Sequence, residues 1–168
     1  MYKTERLRFN LLKEDYLKDL THLFCENHLV MQSTLKGSVY SKDALQQLIK
    51  EAFISTAEEQ FGFLCITTLK ADKLIGITGL LKCQYLNKDN YEFGFILHPD
   101  YWGKGLATEI GKFWLDFAKN TLNLSEIIAT VNPSNKASNA VMEKLNMTYV
   151  TELDTQTRGK RFLYVKTW

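Results

Sequence analysis

The sequence predicts an α+β fold, in which about four helices pack against a twisted, mixed β-sheet of about seven strands. The middle of the chain, residues 61–97, contains three β-rich stretches in succession. Amphipathic segments with helical periodicity stand on both sides of this run, and one of them connects two stretches that suit parallel strands. Two further β-rich stretches close the chain, so strands and helices are mixed along its length.

The N-terminal part is predicted to contain one short strand and two helices. Residues 7–11 suit an opening strand, and the apolar residues of segment 16–24 recur at helical spacing. Ser41 is a candidate N-cap for the second helix, because its hydroxyl can accept a hydrogen bond from the first turn. The apolar stripe of this second helix consists of Leu45, Leu48, Ile49, Ala52 and Phe53.

Turn residues bound the central strands. Residues 61–69 and 74–81 are β-rich, and the sequence Lys-Ala-Asp-Lys at 70–73 between them suits a hairpin turn. We therefore expect these two strands to pair in antiparallel fashion. Residues 91–97 alternate in character and predict a third strand, which ends at His98-Pro99.

The most regular helical pattern begins after Gly105. Its apolar face consists of Leu106, Ile110, Phe113, Trp114, Phe117 and Ala118.

A β-branched strand follows at residues 126–132, and we expect it to lie parallel to strand 91–97, as in a βαβ unit. A helix at about 135–145 and a hairpin around Arg158-Gly159-Lys160, with strands at 147–153 and 161–166, complete the chain. No linker or repeat interrupts this order, so residues 1–168 are expected to form one domain.

Composition limits the classes of partner. The chain has 168 residues, of which 45% are apolar and 24% charged, the proportions of an ordinary globular domain. A net charge of +2 is too small to favour a nucleic-acid or membrane surface as a partner. The N-terminus has no apolar signal core, so we expect a cytoplasmic protein.

The three cysteines lack the spacing of disulfide frameworks and zinc sites: they are Cys25, Cys65 and Cys83. They are interpreted as reduced packing residues, and no metal is expected.

Residues 102–108 form a glycine-bearing loop between a strand end and a helix start. Backbone N–H groups converge at such a place, and glycines let a ligand approach the backbone, so the loop favours a phosphate group. Lys104 would add a positive charge at the rim. A Gly-x-Gly turn also serves simple helix entry, and the loop alone leaves this alternative open. His98 stands where a Walker loop has its first glycine, and a dinucleotide fingerprint would require a third glycine.

Several segments together resemble the GNAT family of N-acetyltransferases. The central match is Trp-Gly-Lys-Gly-Leu-Ala at residues 102–107, and the resemblance extends to Thr-Glu-Arg-Leu at 4–7, to residues 132–138 and to Glu-Lys-Leu at 143–145. This combination is similar to the branch of ribosomal-protein N-terminal acetyltransferases. Trp102 replaces the usual Arg or Gln of the family, and Asn146-Met147 stands in place of Gly-Phe.

The resemblance implies an acetyl-CoA-dependent N-acetyltransferase with a V-shaped opening between two parallel strands. The pantetheine arm of acetyl-CoA would enter this opening as a pseudo-strand, and its pyrophosphate would bind the loop amides. A backbone N–H near residues 95–97 would polarise the thioester carbonyl. The cofactor-binding residues expected from the loop and the resemblance are Phe95, Ile96, Leu97, Trp102, Gly103, Lys104, Gly105, Leu106, Ala107, Thr108, Asn132, Asn135 and Ser138.

Two residues are predicted to take part in catalysis. Glu92 is a lone carboxylate in an otherwise apolar strand, where the family often has a base, so it would deprotonate the acceptor directly or through water. A solvated residue on an exposed strand face is the other interpretation of Glu92. Met142 stands where many members have a tyrosine. Ser138, one helical turn earlier, would relay a proton to the leaving thiolate or else serve as a small packing residue.

The acceptor is expected to be a primary amine. A protein N-terminal α-amine is favoured because its reference pKa near ~8 lies below the ~10.4 of lysine, while antibiotic amines, polyamines and amino acids stay open. Residues 25–40 and 83–90 are expected to frame the acceptor side. A non-catalytic acyl-CoA-binding or regulatory module is the main alternative function, and a nucleotide-binding protein is another. Both a monomer and a homodimer suit the sequence.

Overall fold

The computed structural model describes residues 1–168 and contains one mixed β-sheet. Its strands are β1 (Tyr2–Lys3), β2 (Leu7–Asn10), β3 (Gly62–Thr68), β4 (Leu74–Tyr85), β5 (Lys88–Leu97), β6 (Glu126–Val131), β7 (Thr148–Thr155) and β8 (Gly159–Thr167). They lie in the order β1-β2-β3-β4-β5-β6-β8-β7. Only β5 and β6 are parallel, as the βαβ pattern predicted. The sheet has eight strands because the two-residue β1, too short for a sequence pattern, pairs with β2.

The helices are α1 (Leu17–Thr21), α2 (His28–Met31), α3 (Lys42–Ala52), α4 (Leu106–Asp116) and α5 (Lys136–Lys144). Wider π-helical turns extend α1 and α4 at their C-terminal ends. There is one helix more than predicted because Asn27 starts a new one: its side chain accepts a hydrogen bond from Val30 N at 3.1 Å. The predicted cap of α3 is confirmed, since Ser41 Oγ accepts from Ala44 N at 3.1 Å. No helix has the length and apolar character needed to span a membrane.

Both faces of the sheet are covered. Helices α4 and α5 pack on one face, where Trp114 is fully buried and its indole N–H donates to Thr78 Oγ1 at 2.7 Å. Helices α1, α2 and α3 cover the opposite face. Strand β5 contributes Phe93 and Leu97 to the first core and Ile96 to the second, so the strand is buried on both sides.

Two hairpins extend beyond the predicted strand ends. Strands β4 and β5 continue to a two-residue turn at Leu86-Asn87, where both residues have positive φ, 54° and 59°. The first of these strands is predicted to end at residue 81, which is where its full burial ends: residues 74–80 are buried, and half-buried and exposed residues alternate from Leu81 to Tyr85. The predicted C-terminal hairpin is present, and Thr155 Oγ1 closes it by accepting from Arg158 N at 3.0 Å and donating to Gly159 O at 2.8 Å.

Candidate functional site

Strands β5 and β6 separate toward their carboxyl ends. They pair at Glu92 and Ile128, and no pairing follows although β5 continues to Leu97 and β6 to Val131. The strands therefore enclose an opening between two adjacent carboxyl ends. This is the place where a V-shaped opening was expected.

The backbone of β5 presents free hydrogen-bonding groups to this opening. In an antiparallel pair, successive residues direct their N–H groups alternately toward and away from the neighbouring strand. His98 N donates to Ile75 O at 2.8 Å, and the pairing of β4 and β5 continues in that register. The amide of Ile96 therefore faces β4, whereas those of Phe95 and Leu97 face the opening. Ile96 itself lines the opening, and its expected contact with a cofactor stays a prediction.

The loop between β5 and α4 presents a second set of free donors. None of the six backbone N–H groups of residues 103–108 donates to an acceptor within the chain. The first turn of a helix leaves such groups unpaired, and Gly103 and Gly105 extend the set with left-handed φ values of 70° and 75°. A phosphate group is the ligand that such a cluster of amides favours.

The N-terminal segment holds this loop in place. Arg6 Nη1 donates to Lys104 O at 2.8 Å, and Arg6 Nε donates to Glu109 Oε2 at 2.6 Å. Glu109 Oε1 also accepts from Arg6 N at 2.9 Å and from Thr4 Oγ1 at 2.5 Å. The segment Thr-Glu-Arg-Leu at 4–7 thus braces the start of α4.

Two side chains of the loop contact groups within the chain. Trp102 lines the opening, and its indole N–H donates to Leu97 O at 2.8 Å, so it ties the loop to the end of β5. Lys104 Nζ lies 5.3 Å from the centre of the Tyr101 ring, and Lys104 is not among the lining residues. The positive charge expected of Lys104 at the rim stays a prediction. Two lysines of α5, Lys136 and Lys144, line the opening.

The opening consists of two connected spaces. The outer cleft, with a volume of ≈ 420 Å³, is lined by Gly103, by residues 105–108 and by the start of α5. The inner cavity, with a volume of ≈ 100 Å³, is lined by Glu92 and by the ends of β5 and β6. Both spaces are lined by Phe95 and Ser138, so the outer cleft leads into the inner cavity.

Glu92 is buried in the wall of the inner cavity, with 8% of its surface exposed. Its Oε1 accepts a hydrogen bond from Thr130 Oγ1 at 2.5 Å, and its Oε2 accepts one from Tyr85 OH at 3.3 Å. The guanidinium of Arg158 lies 3.3 and 3.4 Å from the two carboxylate oxygens. The interpretation of Glu92 as a solvated residue on an exposed strand face is therefore wrong.

The surroundings of Glu92 change its acidity. Burial raises the pKa of Glu92 to about 7, against the opposing effects of the Thr130 hydrogen bonds and the positive charge of Arg161. The contact with Arg158 also favours the charged form. A carboxyl group with a pKa raised above its usual value holds a proton more readily, which suits a residue that accepts a proton from an amine.

Asn132 and Asn135 have structural roles at the start of α5. Asn132 Oδ1 accepts from Ser134 N at 2.9 Å, and Asn135 Oδ1 accepts from Ser138 N at 3.0 Å. Both residues also line the inner cavity, with their side-chain NH₂ groups free of partners in the chain. Capping therefore occupies the oxygens and leaves the NH₂ groups for a ligand.

Ser138 and Met142 lie one helical turn apart on α5, and both line the inner cavity. Met142 is buried, whereas Ser138 is half-buried and its hydroxyl has no partner in the chain. Because a thioether cannot donate a proton, the hydroxyl of Ser138 is the group of this pair that can carry one.

No pattern in the sequence predicted which residues surround Glu92. Arg158 is 66 positions away from Glu92, and Arg161 donates to Leu35 O at 2.5 Å across 126 positions. The only local signal was a group of cationic residues in the predicted C-terminal hairpin. Residues 33–35 line the inner cavity and fall within the segment 25–40 that was expected to frame this side.

Comparison with known proteins shows which protein family this chain matches. The family model described as an acetyltransferase (GNAT) domain matches residues 6–148. The uncharacterized N-acetyltransferase YnaD of Bacillus subtilis is 38% identical over 76 residues, which are 45% of this chain and 44% of that protein. The chain spans about half the length of the curated relatives it matches.

Solved structures show the same fold over nearly the whole chain. Spermidine N-acetyltransferase from Vibrio cholerae, in complex with CoA and spermine, has a TM-score of 0.74 at 20% identity, covering 96% of this chain and 95% of that one. Ribosomal-protein-S5-alanine acetyltransferase from Vibrio fischeri has a TM-score of 0.69 at 18% identity, covering 99% and 95%. Because these two proteins are named for different acceptors, the shared fold leaves the acceptor undetermined.

Proposed function

The chain belongs to the GNAT acetyltransferase family, and we propose that it transfers an acetyl group from acetyl-CoA to a primary amine by direct attack within a ternary complex. The observation that carries this proposal is the position of Glu92. A buried carboxyl group with a pKa of about 7 lies in the wall of the inner cavity, while the loop of residues 103–108 beside the outer cleft has six free amides. One passage thus combines a phosphate-binding loop with a proton acceptor.

The lining residues fit acetyl-CoA, which supplies the activated acetyl thioester when bound. Residues 103–108 would donate their backbone N–H groups to the pyrophosphate, and Lys136 and Lys144 add positive charge on the facing helix. The backbone of Phe95, unpaired at the edge of β5, would bind the pantetheine amide and polarise the thioester carbonyl. Asn132 and Asn135 would contribute their free NH₂ groups.

Glu92 would take the proton from the acceptor ammonium, directly or through water, and Thr130 would hold the carboxyl group in place. A protein N-terminal α-amine remains the favoured acceptor class, because its reference pKa near ~8 is closer to that of Glu92 than the ~10.4 of a lysine amine. The narrow inner cavity also suits an acceptor that presents its amine at the end of a chain.

Direct attack is supported by the state of the cysteines. Burial raises the pKa of Cys65 to about 12, and burial together with the charge of Glu92 raises that of Cys83 to about 12. Neither thiol forms an appreciable thiolate near neutral pH, and the thiolate is the nucleophile in cysteine acylation. An acetyl-cysteine intermediate is therefore disfavoured.

The proposal is tested by measuring thiol release from acetyl-CoA in the presence of a panel of peptides and small amines. Amine-dependent thiol release, with the acetylated amine identified by mass spectrometry, is the expected result. Acetyl-CoA binding without thiol release for any amine would instead support an acyl-CoA-binding module. Preference for ATP or NAD over acetyl-CoA would favour the nucleotide-binding alternative.

Ser138→Ala is expected to slow acetyl transfer by about 3- to 30-fold, with little change in acetyl-CoA affinity. The hydroxyl would relay a proton to the leaving thiolate, and the effect is modest because a thiol with a reference pKa of about 8.5 leaves readily. Single-turnover rates and acetyl-CoA affinity, measured side by side, check this result. An unchanged rate contradicts the relay, and a loss of affinity alone makes Ser138 a binding residue.

A further inference from the structure

The charges that line the two spaces are strongly unbalanced. Glu92 is the only carboxylate among the lining residues of the inner cavity and the outer cleft together. The cationic side chains of the same lining are Arg158, Arg161, Lys136 and Lys144. The two lysines lie on the outer side, where phosphate groups would bind, so the arginines remain as unexplained charges beside the acceptor.

The two arginines are held in different ways. Arg161 is buried, and its guanidinium donates to Leu35 O at 2.5 Å, to Ser33 O at 3.5 Å and to Arg158 O at 3.1 Å. It therefore fixes the backbone of the C-terminal hairpin beside the cavity. The side chain of Arg158, in contrast, is 25% exposed and is held mainly by Glu92.

The contact between Arg158 and Glu92 is loose. Its two N···O distances, 3.3 and 3.4 Å, exceed the ~2.7–2.9 Å of a strong charge-assisted pair. The guanidinium also lies 5.9 Å from the centre of the Tyr85 ring, on the same side of the cavity. Its fork geometry is nevertheless the one that binds a carboxylate through two parallel hydrogen bonds.

We propose that the acceptor amine carries a carboxylate group, and that Arg158 binds this carboxylate in place of Glu92. The inference rests on the proposed acetyltransferase function and specifies its acceptor class. Arg158 is then the residue that determines acceptor specificity, and Arg161 positions it through the hairpin backbone.

The exchange has a consequence for the reaction. When Arg158 turns to the acceptor carboxylate, Glu92 loses an adjacent cation and keeps the hydrogen bond from Thr130, so its affinity for a proton rises. The ammonium proton moves to a carboxylate oxygen of Glu92, and the neutral amine nitrogen forms the new N–C bond to the acetyl carbon. The C–S bond breaks, and the second proton that the nitrogen loses as the amide forms passes to the leaving thiolate, which becomes the free thiol.

The same charges disfavour polyamines. A polyamine would place its additional ammonium groups near Arg158 and Arg161 without a second carboxylate to offset them. This chain is therefore inferred to differ in acceptor from the spermidine N-acetyltransferase that shares its fold.

The test compares two peptides that differ only in charge, alanyl-aspartate amide and alanyl-asparagine amide, with spermidine as a third acceptor. The wild-type protein is expected to have a kcat/KM at least about 10-fold higher for the aspartate peptide than for the asparagine peptide, mainly through a lower KM. Its kcat/KM for spermidine is expected to be at least about 10-fold lower than that for the aspartate peptide. Arg158→Gln is expected to bring the two peptides within about twofold of each other. Lys160→Gln is the matched control, because Lys160 lies on the same hairpin but pairs with Glu152 at 2.9 Å. In this control variant, the ratio of kcat/KM for the aspartate peptide to kcat/KM for the asparagine peptide should equal that of the wild type.

The outcomes separate this inference from the proposed function. Equal rates for the two peptides in the wild type, or a preference that persists in Arg158→Gln, overturn the inference while acetylation itself stands. Efficient acetylation of spermidine also overturns it. No acetylation of any amine contradicts both proposals. The ratio of kcat/KM for the two peptides is measured on the wild-type protein alone, so this part of the test holds even if Arg158→Gln folds poorly.

Discussion

Glu92→Gln is expected to lower kcat/KM for amine acetylation by about 10²-fold near neutral pH. The amide keeps the shape of the side chain and can still hydrogen-bond to Thr130, but it cannot take a proton from the acceptor. The carboxyl group is well suited to this task because burial raises its pKa to about 7. A group with a raised pKa becomes the carboxylate only as the pH rises through that value, so the wild-type rate should increase between about pH 6 and 8.

The dependence on pH distinguishes a proton acceptor from a structural residue. The variant should lack the rise near pH 7 and should recover partly as the pH approaches the pKa of the acceptor amine, because the amine then deprotonates without help. Profiles of kcat/KM from pH 6 to 9 for the wild type and Glu92→Gln measure this. Glu143→Gln, which removes an exposed carboxylate of α5, is the control and should match the wild type. A constant ratio between Glu92→Gln and the wild type across this range contradicts the role.

Gly105→Val is expected to weaken acetyl-CoA binding by at least about 100-fold. Gly105 has a φ of 75° at the start of α4, a left-handed conformation that costs a β-branched residue at least ~1–2 kcal/mol. A Cβ atom at this position would have room within the chain, since the nearest atom is Arg6 Nη2 at 3.6 Å. The expected loss therefore comes from backbone strain that turns the free amides away and from the side chain standing where the pyrophosphate would bind.

The chain offers a matched control for the strain itself. Gly159 has a φ of 64° in the C-terminal hairpin, and a Cβ there would also meet no atom within 4 Å. Gly159→Val should thus lose a similar amount of stability and keep its affinity for acetyl-CoA. Calorimetric titration gives the affinity, and thermal unfolding confirms that both variants fold. Unchanged affinity in a folded Gly105→Val protein would exclude this loop as the binding site.

The amino-acid sequence by itself determined the fold class, the order of the elements and the glycine loop. Periodicity predicted α3 and α4, and alternation predicted β5, because backbone conformation depends mostly on neighbours within about four residues. The loop with free amides could be predicted for the same reason, because glycines directly before a helix are a local feature of the sequence. The prediction was weakest where few residues face the core, as in the two-residue β1 and in the half-buried outer part of the β4–β5 hairpin.

Only the tertiary structure decided which groups surround Glu92 and which brace the loop. The sheet order β6-β8-β7 brings the C-terminal hairpin beside β6, so Arg158 reaches a carboxylate 66 positions earlier in the chain. Thr4 reaches Glu109 across 105 positions in the same way. Such contacts depend on strand pairing and helix packing over the whole chain, and no local pattern encodes them. The burial that raises the pKa of Glu92 follows from this assembly, so the carboxyl group acquires its chemistry only in the folded protein.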